Sequence, residues 1–121
     1  MGDLNSDFGL SDVSGMVSET VFEVGGDVYT EIAGLLVDAM NGSGYYSGHV
    51  DVAHGAWSAT LTVSMVIYRA AETLPEGGVR HFVTDIVPVW WEFSTCLSDG
   101  GEVLNDFSFA ELKKFVLAMR P

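Results

Sequence analysis

Trp57-Ser58-Ala59-Thr60-Leu61-Thr62-Val63-Ser64-Met65-Val66-Ile67 is the stretch on which the fold turns. Its odd positions are Trp, Ala, Leu, Val, Met and Ile, and its even positions from Ser58 to Ser64 are Ser, Thr, Thr and Ser. Successive side chains of a strand point to opposite faces, so this period of two predicts a strand with one buried and one polar face. Upstream, residues 45 to 53 alternate as well, and His54-Gly55 separates the two runs. Glycine tolerates positive φ and histidine is among the less penalised residues there, which predicts a two-residue hairpin turn. Downstream, a third strand over about 80 to 97 follows the turn-like Pro75-Glu76-Gly77-Gly78. Its odd positions Val83, Val87, Val89, Trp91 and Phe93 are apolar, with Asp85 interrupting them.

Outside this centre the period changes. Residues 17 to 24 form a short apolar run that reads either as a first strand or as a turn or two of helix, ended by Gly25-Gly26. Asp27 is placed to cap a helix over about 27 to 40, whose stripe is Ile32, Leu35, Leu36, Ala39 and Met40. Asn41-Gly42 supplies the left-handed residue that ends helices. After Ser98-Asp99-Gly100-Gly101, residues 102 to 105 are a candidate short returning strand. Ser108 and Glu111 have capping-box spacing, and Phe109, Leu112, Phe115, Val116 and Met119 make the stripe of a final helix. Lys113, Lys114 and Arg120 lie toward its C-terminal half, where the helix dipole favours cations.

The expected fold is therefore α+β: a three- or four-stranded antiparallel β-meander packed against two α-helices in a two-layer sandwich. Residues 1 to 121 are read as a single domain, with 1 to 14 an irregular acidic N-terminal arm. The order helix, three strands, helix resembles that of double-stranded-RNA-binding domains. The resemblance is topological alone: the basic second helix of that family is missing, and the charge of this chain opposes RNA.

That charge is large. Seventeen Asp and Glu against five Lys and Arg give a formal net charge of -12, which repels polyanions and disfavours direct nucleic-acid or anionic-membrane binding. The carboxylates are spread along a chain that is 48% hydrophobic, so they decorate a folded core. Two origins fit: selection on solubility, or a basic protein partner. Cys96 is the only cysteine, which rules out an internal disulfide or a CxxC motif and fits a reducing compartment. With no basic n-region, no apolar h-region and no unbroken apolar run of membrane length, a cytoplasmic protein is expected.

Aligning the strands asks which side chains meet. A His54-Gly55 turn pairs Val52 with Trp57 and Val50 with Ala59 on the core face, and Asp51 with Ser58 and His49 with Thr60 on the other. A third-strand register that keeps Val83, Val87, Val89 and Trp91 in the core puts Trp90 beside Thr60 and Glu92 beside Ser58. His49, Asp51 and Glu92 then share a neighbourhood, and an imidazole with two carboxylates can ligate a divalent metal or share a proton. A one-residue slip would flip every side chain of a strand. On the same outer face Tyr68, Phe82, Ile86 and Trp90, extended by Val66 and Pro88, would make an apolar patch of the kind that marks interaction surfaces. Pro88 cannot donate to a ladder, so its strand is an edge or is bulged there.

Catalytic signatures are missing: no phosphate loop with Lys, no GxSxG elbow and no HExxH occur, and Cys96 has no nearby His in sequence. The expected function is a non-catalytic acidic protein-binding or accessory module, homodimeric, without a cofactor, engaging a protein through the aromatic sheet face. Two alternatives are a nucleic-acid mimic that inhibits a DNA-handling protein, and a small metal-dependent or acid–base enzyme built on His49, Asp51 and Glu92.

Overall fold

The computed structural model describes residues 21–121. The readings of 1 to 14 as an arm, and of 17 to 20 as strand or helix, lie outside the described residues. Among them the elements run β1 (Val21–Phe22), α1 (Gly26–Met40), β2 (Tyr45–His54), β3 (Trp57–Thr73), β4 (Val79–Leu97), β5 (Glu102–Asn105) and α2 (Phe109–Ala118). They form one sheet in the order β1-β5-β4-β3-β2. The chain is α+β as expected, but the sheet is neither three- nor four-stranded nor wholly antiparallel. Five strands form it, and Val21–Phe22 pairs parallel to Leu104–Asn105 at one edge. Val21–Phe22 falls within the run read as either a first strand or a turn or two of helix, but its parallel partner lies at the far end of the sequence, where no local pattern could point to it.

The hairpin turn is Gly55-Ala56, not His54-Gly55, because His54 pairs with Trp57 and Gly55 takes the positive φ of 51°. The expected pairs therefore shift by two residues: Val52 meets Ala59, Asp51 meets Thr60 and His49 meets Thr62. An even shift preserves every face. Ala59, Leu61, Val63, Met65 and Ile67 are buried as their period predicted, under Ile32, Ala33 and Leu36 of α1 and Leu112 and Val116 of α2.

In β4 the parity breaks. The ladder with β3 is regular from Leu97 to Trp90, then slips between Ser64 and Met65 and again between Tyr68 and Arg69. Each β-bulge inserts one residue and exchanges the two faces. Ile86, expected outside, is fully buried opposite Ile67, while Val87 and Val89, expected in the core, are exposed. Val83, beyond the second bulge, returns to the core. The bulges flank the residues that had interrupted the pattern, Asp85 and Pro88.

Both helices form where their stripes predicted, with different caps. Gly25 and not Asp27 is the N-cap of α1, and Asp27 Oδ1 instead accepts from the N–H of Val28 (3.0 Å). Asn41 ends α1 in the left-handed region at φ 46°. Only half of the Ser108 capping box is made: Ser108 Oγ accepts from the N–H of Glu111 (3.3 Å). The reciprocal donor, the Ser108 N–H, goes to Tyr29 Oη of α1 (3.0 Å). That bond joins the two helices, and burial pushes the Tyr29 hydroxyl pKa above its ordinary value despite the opposing effect of the Ser108 bond.

Candidate binding face

Both helices pack on the odd-numbered face of β3, so its even-numbered face is the outer side of the sheet. Three rows cross it. Ser47, Ser64 and Trp90 stand abreast in the first, with the two hydroxyls hydrogen-bonded at 2.8 Å. Tyr45, Val66 and Val87 make the second, and Tyr68 stands in the third, where its ladder partner Asp85 reaches Lys113 of α2. Tyr45, Tyr68, Val87 and Trp90 are all exposed, Trp90 and Tyr68 each at 52%, and the bulged Val89 is more open still at 68%. Val66, at the centre, is half-buried by its neighbours.

Of the four side chains expected in this patch, Tyr68 and Trp90 belong to it. Ile86 does not, because the bulge beside Pro88 turns it into the core. Phe82 is half-buried and covered: the Arg80 guanidinium lies over its ring, 4.9 Å from the centroid. Val87 and Val89 are members that strict alternation had assigned to the core. Pro88 was the available signal, since a proline within a paired strand marks a bulge, and carrying parity across that bulge would have moved both valines outward. Trp91, the neighbour of Trp90, turns to the helical side and packs on Phe107 and Phe109, with centroids 5.2 and 6.2 Å away.

His49, Asp51 and Glu92 also share this outer face. His49 Nε2 and Asp51 Oδ2 are 3.6 Å apart, both side chains about two-thirds exposed, and Asp51 Oδ1 accepts from Thr60 Oγ1 at 2.6 Å. Glu92 pairs with Thr62, which pairs in turn with His49, so Glu92 and His49 stand two strands apart in one row. Adjacent strands lie about 4.8 Å apart, which separates their backbones by roughly 10 Å. Among the described residues no three His, Cys, Asp or Glu side chains are drawn together in a way that holds a metal ion.

Two other features frame the face electrostatically. At the far end of the hairpin, Asp27, Glu31, His54 and Trp57 line an open cleft of about 280 Å³ in which His54 Nε2 and Glu31 Oε1 meet at 2.6 Å. Near the other end, Lys113 Nζ sits 3.0 Å from Asp85 Oδ1. The Lys113 hydrogen bond and charge hold the Asp85 carboxyl below the usual carboxylate range, helped by the Ile86 N–H that donates to the same oxygen (2.9 Å). Cys96 is half-buried opposite Ser58. No helix among the described residues is long and apolar enough to cross a membrane. Comparison with known proteins found no family model, no curated protein and no solved structure that matches the chain.

Proposed function

We propose that this chain is a non-catalytic binding module that engages a protein through the outer face of its sheet, and that a second copy of itself is the first partner. The observation that carries this reading is the cluster of Tyr45, Val66, Tyr68, Val87 and Trp90, on the side of the sheet away from both helices. Large aromatic side chains supply much of the energy at protein interfaces, and an exposed contiguous apolar patch rimmed by polar groups marks one. The polar rim is present in Ser47, His49, Asp51 and Glu92. A stable pair would bury about 1,200 Å² or more in total, which requires the whole face and not Trp90 alone.

Salt separates this reading from a purely charge-driven one. Two copies at -12 each repel over the Debye length, about 8 Å at physiological ionic strength, so added salt strengthens an apolar self-association. A complex with a basic protein held by the carboxylates alone weakens under the same change. Light scattering at low and high salt, on wild type and on Trp90→Ala, tests it. A dimer that tightens with salt and dissociates in the variant is expected. A monomer in every condition, with no basic protein captured in a salt-resistant, Trp90-dependent way, would refute the aromatic face as a docking surface.

A further inference from the structure

We infer that the chain carries a second site, independent of the aromatic face, for a small organic carboxylate with an aromatic or branched apolar body. The site is a cavity of about 210 Å³ on the open edge of β4, lined by Arg80, Phe82, Val83, Leu117 and Arg120. In a chain with only three arginines, two line this cavity. Two guanidiniums beside a benzyl and an isobutyl side chain are complementary to a carboxylate joined to an apolar group, because arginine presents a planar fork of donors that matches carboxylate geometry. Sites that enclose drug-sized ligands run to about 300–1,000 Å³, so this one accommodates a single ring or branched side chain.

The positions of the two arginines are fixed by different means. Arg80 lies over the Phe82 ring at 4.9 Å and is 3.5 Å from Glu72 on β3, which occupies one side of its guanidinium. Arg120 makes no ion pair among the described residues. It sits just past α2 in the left-handed region at φ 54°, the position where glycine is the usual residue and a Cβ is disfavoured. Its N–H still closes the helix by donating to the Leu117 carbonyl (3.1 Å). The next carbonyl, that of Pro121, accepts from the Val83 N–H (3.1 Å) and anchors the segment to the strand edge. The position keeps an arginine where the backbone would be more relaxed with glycine, and the residue lines the same cavity as Arg80. Lys113 nearby is neutralised by its pair with Asp85, so Arg120 is left as a basic group of this quarter without an ion pair among the described residues.

The test uses benzoate as probe, with benzamide as its neutral analogue and inorganic phosphate as an anion without the apolar body. The readout is two-dimensional NMR of backbone amides and arginine side-chain N–H groups. Benzoate is expected to give saturable shifts at Arg80, Val83, Leu117 and Arg120, and benzamide and phosphate much weaker ones. Arg120→Gly is expected to weaken benzoate binding roughly tenfold or more through loss of a charge-assisted pair, while melting at or above the wild-type temperature. Arg80→Gln provides a second variant that leaves the helix terminus untouched, and a similar loss is expected. Equal shifts with phosphate, equal affinity in both variants, or no saturable shift with benzoate would each overturn the site.

Discussion

Tyr29 shows how much a single hydroxyl can hold. Its ring packs on Phe115 at 5.3 Å and Phe107 at 5.7 Å, and among the described residues its oxygen is the acceptor of the Ser108 N–H at the start of α2. Replacing it with phenylalanine keeps the ring but leaves that donor without its partner, which costs about 1–3 kcal/mol when the group is shielded from water. Tyr29→Phe is therefore expected to lower the urea midpoint with an unchanged m-value, and an unaltered midpoint would show that water replaces the hydroxyl. The sequence announced the Ser108 cap through its spacing to Glu111. It could not announce Tyr29, because the partner comes from 79 residues away and depends on how the two helices pack. Glu111, freed from the cap, pairs instead with Lys114 at 2.8 Å and raises the pKa of that amine.

At the scale of elements, β3 and β4 explain both what the pattern revealed and what it concealed. β3 alternates without interruption, so its faces could be read directly. β4 carries two bulges, and parity read from one end fails beyond the first. That failure misplaced Ile86 and hid Val87 and Val89, yet left Trp90 and Tyr68 on the correct side because neither lies past a bulge from the residues that fixed their faces. The metal-candidate trio suffered differently. Its residues were correctly assigned to one face, and the observed registers even bring Glu92 into the row of His49, but β3 lies between the two and the spacing of two strands keeps them apart. Alanine substitutions separate bulged from unbulged geometry. Ile86→Ala is expected to cost about 2–5 kcal/mol as a cavity in the core, and Val87→Ala, exposed one residue later, within about 0.5 kcal/mol. Comparable losses at both positions would argue against the bulge.

The molecule as a whole is acidic but not uniformly so. Four of its five basic side chains gather where β3 and β4 leave the helical layer: Arg69 pairs with Val83, Lys113 reaches Asp85, and Arg80 shares a cavity with Arg120. The opposite end presents Asp27, Glu31, Asp99 and Glu102. Self-repulsion among the remaining carboxylates opposes the compact state and is screened by salt. Thermal stability of the Trp90→Ala protein is accordingly expected to rise with sodium chloride up to physiological strength, followed by circular dichroism. A flat response would mean that the carboxylates are too dispersed to matter energetically. Composition made the sign of the charge legible; its segregation needed the fold, since residues 69, 80, 113 and 120 are scattered in sequence.

The parallel pair at the sheet edge bears on the order in which the protein assembles. β2, β3 and β4 join through turns of a few residues, so their ladders can close early and locally. β1 meets β5 only after the chain has gone around the whole domain, and Val24 reaches its Asp106 acceptor (2.8 Å) across 82 residues. Closing so long a loop carries an entropic cost that grows with its length, and among the described residues two strand residues, the Asp106 bonds and the contact of Phe22 with Trp57 at 4.6 Å offset it. This edge is expected to be the last seam to close during folding and the first to open under strain, which amide exchange at Val21 and Phe22 faster than in β3 would show. The hairpin core would persist while the edge breathes, giving the domain a hinge of partial unfolding at the end remote from its arginines.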